Sequence, residues 1–118
     1  MTETVQIETP EGLSDDARDL YSDVVEERGE TMTPEQFGAL VQCVRLITLA
    51  DRAEAAIGDA WIIPGYRGRP IANPLIADAR MARAAAVVAL KAAGYSARGG
   101  VASRAGAALA GARWRRAG

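Results

Sequence analysis

Thr33-Pro34-Glu35-Gln36 opens the longest helical pattern in this chain. The threonine hydroxyl can accept from the Gln36 amide while the glutamine side chain reaches back to the Thr33 amide. Proline suits the first helical position because its missing N–H would be unpaired there anyway. Met32 and Phe37 stand where a hydrophobic staple would close over this start. After Gly38 no glycine or proline intervenes before Gly58. The reading is a helix of about 25 residues, roughly 37 Å long.

Such a helix must be covered, and its apolar positions say how. Phe37, Leu40, Val44 and Ile47 form one stripe; Cys43, Leu46, Ala50, Ala53 and Ile57 form a second, rotated from the first. Two apolar stripes require two partners. A preceding helix is expected from Asp15 to the stop at Gly29, capped by Ser14, with Leu13, Ala17, Leu20, Tyr21, Val24 and Val25 at helical spacing. It covers one stripe. The second faces either a later helix or another subunit, which makes Cys43, Leu46, Ala50, Ala53 and Ile57 candidate oligomerisation residues.

Trp61 to Arg83 joins the two halves. A short apolar run, Trp61-Ile62-Ile63, stops at Pro64-Gly65, and a compact cationic turn follows, Arg67-Gly68-Arg69-Pro70. Asn73-Pro74 is a strong helix start. The Ala-rich helix it opens runs to about Ala93 and stops at Gly94, with Ile76, Ala79, Arg83, Val87 and Leu90 along one side. The fold class is therefore all-α: a helical hairpin plus a third Ala-rich helix, with a basic connector that has room for short extended strands. Residues 1–12 read as a flexible acidic arm, 13–95 as one helical domain with apolar surface for oligomerisation, and 96–118 as a basic Ala/Gly/Arg-rich tail.

Charge is segregated along the chain. Residues 1–59 carry 14 acidic and four basic side chains; residues 60–118 carry one acidic side chain, Asp78, and ten basic ones. Three uses fit: neutralisation of the halves within one fold, complementary faces between subunits, or a basic face for nucleic acid. The nucleic-acid reading selects Arg67, Arg69, Arg80 and Arg83, together with Arg113, Arg115 and Arg116 flanking Trp114 in the tail. Arg67 to Pro70 also matches the core of an AT-hook, an extended arm that lies in the minor groove, and equally fits a plain structural turn. Gly65-Tyr66-Arg67-Gly68 fits a KH-type loop, but the order of elements is wrong for that fold.

Composition removes several chemistries. There is no histidine and one cysteine, Cys43, so neither an internal disulfide framework nor a Cys/His zinc site can form. No GxxxxGK[ST] loop, no Ser–His pair and no converging carboxylates are visible, so no catalytic residue, metal or cofactor is assigned and an enzyme is not expected. The acidic N-terminus lacks a signal-peptide core and no apolar run spans a bilayer, so a cytoplasmic protein is expected.

A glycine-containing turn, a few extended residues, Asn-Pro, then an Arg- and Ala-rich helix ending in glycine resembles the small subunit of phage terminases. The matching residues are Gly68, Asn73, Pro74, the helix to Leu90, and Gly94, with the long helix from Thr33 to Ile57 before them. The resemblance departs in the tail: Ser103-Arg104 is the nearest match to the family's Ser–Arg pair, and the neighbouring proline is absent. The resemblance implies a non-enzymatic, ring-forming homo-oligomer that binds double-stranded viral DNA and recruits and regulates the large terminase subunit in the host cytoplasm. Two alternatives stand beside it: a dimeric DNA-binding regulator or antitoxin, and a structural phage adaptor that does not bind DNA.

Overall fold

The structure, a computed structural model, describes residues 9–95. The acidic arm before residue 9 and the tail after Tyr95, with Arg113, Arg115 and Arg116, lie outside the described residues. Three helices form the body: α1 (Asp15–Arg28), α2 (Pro34–Ile57) and α3 (Pro74–Ala92). Between α2 and α3 stands a two-stranded antiparallel hairpin, β1 (Ile62–Pro64) and β2 (Pro70–Ala72), with Ile62 opposite Ala72 and Ile63 opposite Ile71. The chain is thus mostly helical with a small sheet in the connector, where the sequence leaves room for strands.

The strongest start signal forms as its chemistry dictates. The Thr33 amide donates to Gln36 Oε1 at 2.8 Å and the Gln36 amide donates to Thr33 Oγ1 at 3.2 Å. Both satisfy donors that a helix N-terminus would leave open. Ser14 behaves differently from the cap expected of it. It occupies the N-cap position but makes no capping bond with its side chain. Its hydroxyl donates instead to Asp51 Oδ2 at 2.6 Å, and its amide donates to Thr48 Oγ1 at 3.0 Å. A charge-assisted bond to a carboxylate on α2 is stronger than a neutral cap, so the serine ties α1 to α2.

Long-range bonds fix the topology. Ser14 at the start of α1 meets Asp51 late in α2, and Arg28 at the end of α1 donates to the Gly94 carbonyl just past α3. Both α1 and α3 therefore run antiparallel to α2, and α3 is its principal partner. The core is Leu20, Tyr21 and Val24 from α1, Leu40, Cys43, Val44 and Ile47 from α2, and Ala86, Ala89 and Leu90 from α3, closed by Ala93 and Tyr95. The Tyr95 hydroxyl donates to Glu27 Oε2 at 3.2 Å, and the Arg28 guanidinium lies 5.8 Å from the Tyr95 ring centroid.

Packing chooses between the two partners left open for the second stripe of α2 and corrects the inner face of α3. Cys43, Ala50, Ala53 and Ile57 are buried within the single chain. They need no second subunit to cover them, because an antiparallel α3 lies along α2. Of that stripe, Leu46 alone remains half-buried at the surface. The buried face of α3 is Ala79, Ala82, Ala86, Ala89 and Leu90, while Val87, expected on the inner side, is 38% exposed. Alanines let two backbones approach closely, so the small-residue face wins the contact with α2. The bulkier Met81 and Val88 point outward, each 68% exposed.

Candidate nucleic-acid interface

The hairpin is anchored at its base by one residue. Asn73 caps α3 by accepting from the Leu75 amide at 3.0 Å, and its Nδ2 donates to the Ala60 carbonyl at 2.9 Å. Its own amide donates to the Trp61 carbonyl at 2.8 Å. One buried side chain thus pins both the chain leaving α2 and the chain entering α3. The capping role is readable from Asn-Pro; the second bond, 13 residues back, is not.

The tip is a tight, fully bonded turn. Gly65 N–H donates to the Arg69 carbonyl at 2.7 Å, Gly68 N–H to Gly65 at 3.0 Å, and Arg69 N–H to Tyr66 at 3.2 Å. Arg67 (φ 56°) and Gly68 (φ 74°) both lie in the left-handed region, inside the three-residue loop Tyr66–Gly68 that the Gly65–Arg69 bond closes. A Cβ on Gly65 would stand 2.7 Å from Ile71 Cγ2, so only glycine lets the strands close there. The turn is folded back on itself. It is not the extended arm that the AT-hook reading of Arg67 to Pro70 requires.

The surface this raises is cationic and apolar. From Trp61 to Ala77 there is no acidic residue. Arg67 and Arg69 are exposed, and the Arg67 guanidinium sits 5.2 Å from the Tyr66 ring centroid, so the two side chains stack in solvent. Trp61, Ile62 and Tyr66 are 54%, 62% and 80% exposed. Arg80, on α3, is also exposed.

Arg83 does not belong with them. Its Nε donates to Glu54 Oε1 at 3.0 Å, and its Nη2 donates to Glu54 Oε2 at 2.9 Å and Asp51 Oδ1 at 2.7 Å. Burial opposes its charge, but the hydrogen bonds and charges of Glu54 and Asp51 prevail and raise its pKa above the ordinary value. With its side chain 13% exposed, Arg83 joins α2 to α3 and is not presented to a phosphate. The expectation that grouped it with the DNA contacts fails because helical spacing does not show which arginine meets carboxylates on a neighbouring helix.

Among the described residues, two outer faces are uncovered. A shallow depression on α2 is lined by Gly38, Val41, Gln42, Arg45, Leu46 and Leu49, with Leu49 56% exposed. On α3, Met81 and Val88 stand two turns apart on one outer line. Apolar periodicity does not reveal this second face; the alanine spacing 79, 82, 86, 89, 93 marks the inner side and leaves Met81 and Val88 outside. Among the described residues no helix is long and apolar enough to cross a membrane. Comparison with protein-family models, characterised proteins and solved structures gives no match to this chain.

Proposed function

We propose that this chain is an adaptor of the terminase small-subunit kind. It is non-enzymatic, it assembles with copies of itself, and it binds double-stranded viral DNA. In the host cytoplasm it recruits and regulates the large terminase subunit during genome packaging. The observation that carries the reading is the acid-free hairpin, which lifts Arg67 and Arg69 off a body whose N-terminal half is acidic. Such a distribution favours a polyanion at the hairpin and repels it elsewhere.

The resemblance adds support, since its residues have definite jobs here: Gly68 supplies a left-handed turn position and Asn73 clamps the hairpin to α3. A closed ring built from contacts between unlike faces is the proposed assembly. The outer faces of α2 and α3 supply apolar surface for it, and the split of charge sets orientation.

The test is fluorescence anisotropy with a duplex across salt concentrations, alongside native mass spectrometry. Each phosphate contact contributes about −0.9 to the slope of log affinity against log salt. Arg67→Gln with Arg69→Gln flattens the slope by about 1 to 2. A wild-type protein with no salt-dependent affinity for DNA removes the DNA role and leaves the structural adaptor. A two-fold dimer at every concentration removes the ring and favours the dimeric regulator.

A further inference from the structure

Arg67 stands where a side chain of its kind is disfavoured. The backbone there is left-handed, a conformation that Asn, Asp or Gly takes at lower cost. Its backbone, at φ 56° and ψ 31°, is the one positive-φ non-glycine position among the described residues. A residue in such a conformation points to a use for its side chain. That side chain is exposed and, among the described residues, stacks on the exposed Tyr66 ring.

We infer that the β1–β2 hairpin is a reading head that enters the major groove of double-stranded DNA tip first, with Arg67 directed at base edges and Arg69 at the backbone. The inference rests on the DNA-binding reading above and adds the groove and the residue that reads it. Three features favour this site. A two-stranded ribbon fits the width of the major groove, whereas the minor groove is about half as wide. The tip is closed by three backbone hydrogen bonds, so its arginines are presented from a braced turn. No carboxylate lies in the sequence from Trp61 to Ala77 to compete for them. Arginine makes a forked pair with guanine O6 and N7, the most common base-specific contact in that groove.

The experiment uses the full chain and 20-base-pair duplexes in anisotropy titrations, with thermal melts in parallel. Arg67→Asn suits the turn, so it keeps or raises the melting temperature while weakening binding to a guanine-containing duplex about fivefold or more. Replacing guanine by 7-deazaguanine removes N7 from the major groove and leaves the minor groove intact. It weakens the wild type and leaves Arg67→Asn unchanged. Netropsin, which fills the minor groove, does not displace the protein. If the wild type binds DNA but Arg67→Asn binds equally well, or netropsin displaces it, the reading head is wrong while the DNA role stands. If no duplex binds, both fall. If Arg67→Asn alters the native mass and not the DNA affinity, the hairpin is a subunit contact and the inference is overturned.

Discussion

Arg83 on α3 grips Glu54 on α2 through two parallel hydrogen bonds, Nε to Oε1 at 3.0 Å and Nη2 to Oε2 at 2.9 Å. The fork geometry belongs to arginine and cannot be reproduced by lysine. Asp51 joins the same guanidinium and also accepts from Ser14, so one network touches all three helices.

Removing the guanidinium leaves two partly buried carboxylates facing each other. Arg83→Met therefore destabilises the fold by about 1–3 kcal/mol, below the figure for a fully buried pair because Glu54 retains some solvent. Urea denaturation measures it. The same variant leaves the salt slope of DNA binding unchanged. A stability equal to wild type would show that solvent replaces the network at no cost.

The α2–α3 contact predicts intolerance of size. Ala86 is fully buried, and a leucine there forces the helices apart. Ala86→Leu costs about 1–3 kcal/mol, read as a fall in thermal midpoint. Val88→Ala, on the outer line, leaves the stability of the unassembled protein within about 0.5 kcal/mol of wild type. If the two substitutions cost the same, the assignment of inner and outer faces of α3 is reversed.

Alkaline pH weakens the fold through buried groups that resist losing a proton, Cys43 and Tyr95 among them, with the Tyr21 phenol also raised by burial. Burial pushes the Cys43 thiol up to about 12, and burial followed by the hydrogen bond to Glu27 pushes the Tyr95 phenol up to about 12. In the unfolded chain they ionise near 9.0 and 10.0. Both folded values are raised, so the stability they confer is complete below pH 9 and drains as pH rises toward 12. The loss is at most about 1.4 kcal/mol per pH unit for each group. Denaturation midpoints between pH 8 and 11 follow this decline, and Tyr95→Phe makes it shallower. Cys43 also stays unmodified by a thiol reagent at pH 8 until denaturant is added; rapid labelling of the folded protein would contradict its burial.

Assembly is tested on the outer face of α2. Leu49 is more than half exposed and borders the depression that includes Leu46. Leu49→Asp changes monomer stability by no more than about 0.5 kcal/mol. If copies meet on this face, it lowers the native mass of the assembly, and an unchanged mass would assign the contact elsewhere.

How legible was all this in the sequence? Elements with local chemistry were readable. The capping box, the two Asn-Pro and Thr-Pro starts and the glycine stops place all three helices nearly to the residue. Faces set by tertiary contact were less so. Alanine carries little hydrophobic signal, so the side read from Ile76, Ala79, Arg83, Val87 and Leu90 matches the buried face at Ala79 and Leu90 but misses Ala82, Ala86 and Ala89. Arg83 and Arg80 look alike in sequence; their difference is created by Asp51 and Glu54, about 30 residues earlier. Ser14 looked like a cap because nothing local reveals that Asp51 competes for its hydroxyl. The cationic turn was visible, but its closed form depends on the pairing of Ile63 with Ile71 and on the Asn73 clamp.

The bond from Tyr95 to Glu27 joins positions 68 residues apart, and α3 supplies most of what α2 packs against. During synthesis, then, α1 and α2 emerge with a core still lacking one wall. They acquire a finished interior only when Tyr95 has left the ribosome. A product cut short before residue 95 retains helix-forming segments but exposes Leu40, Cys43 and Ile47 to water, and becomes a substrate for chaperones and proteases. The last wall of this core, Ala93 and Tyr95, is thus supplied late in the chain.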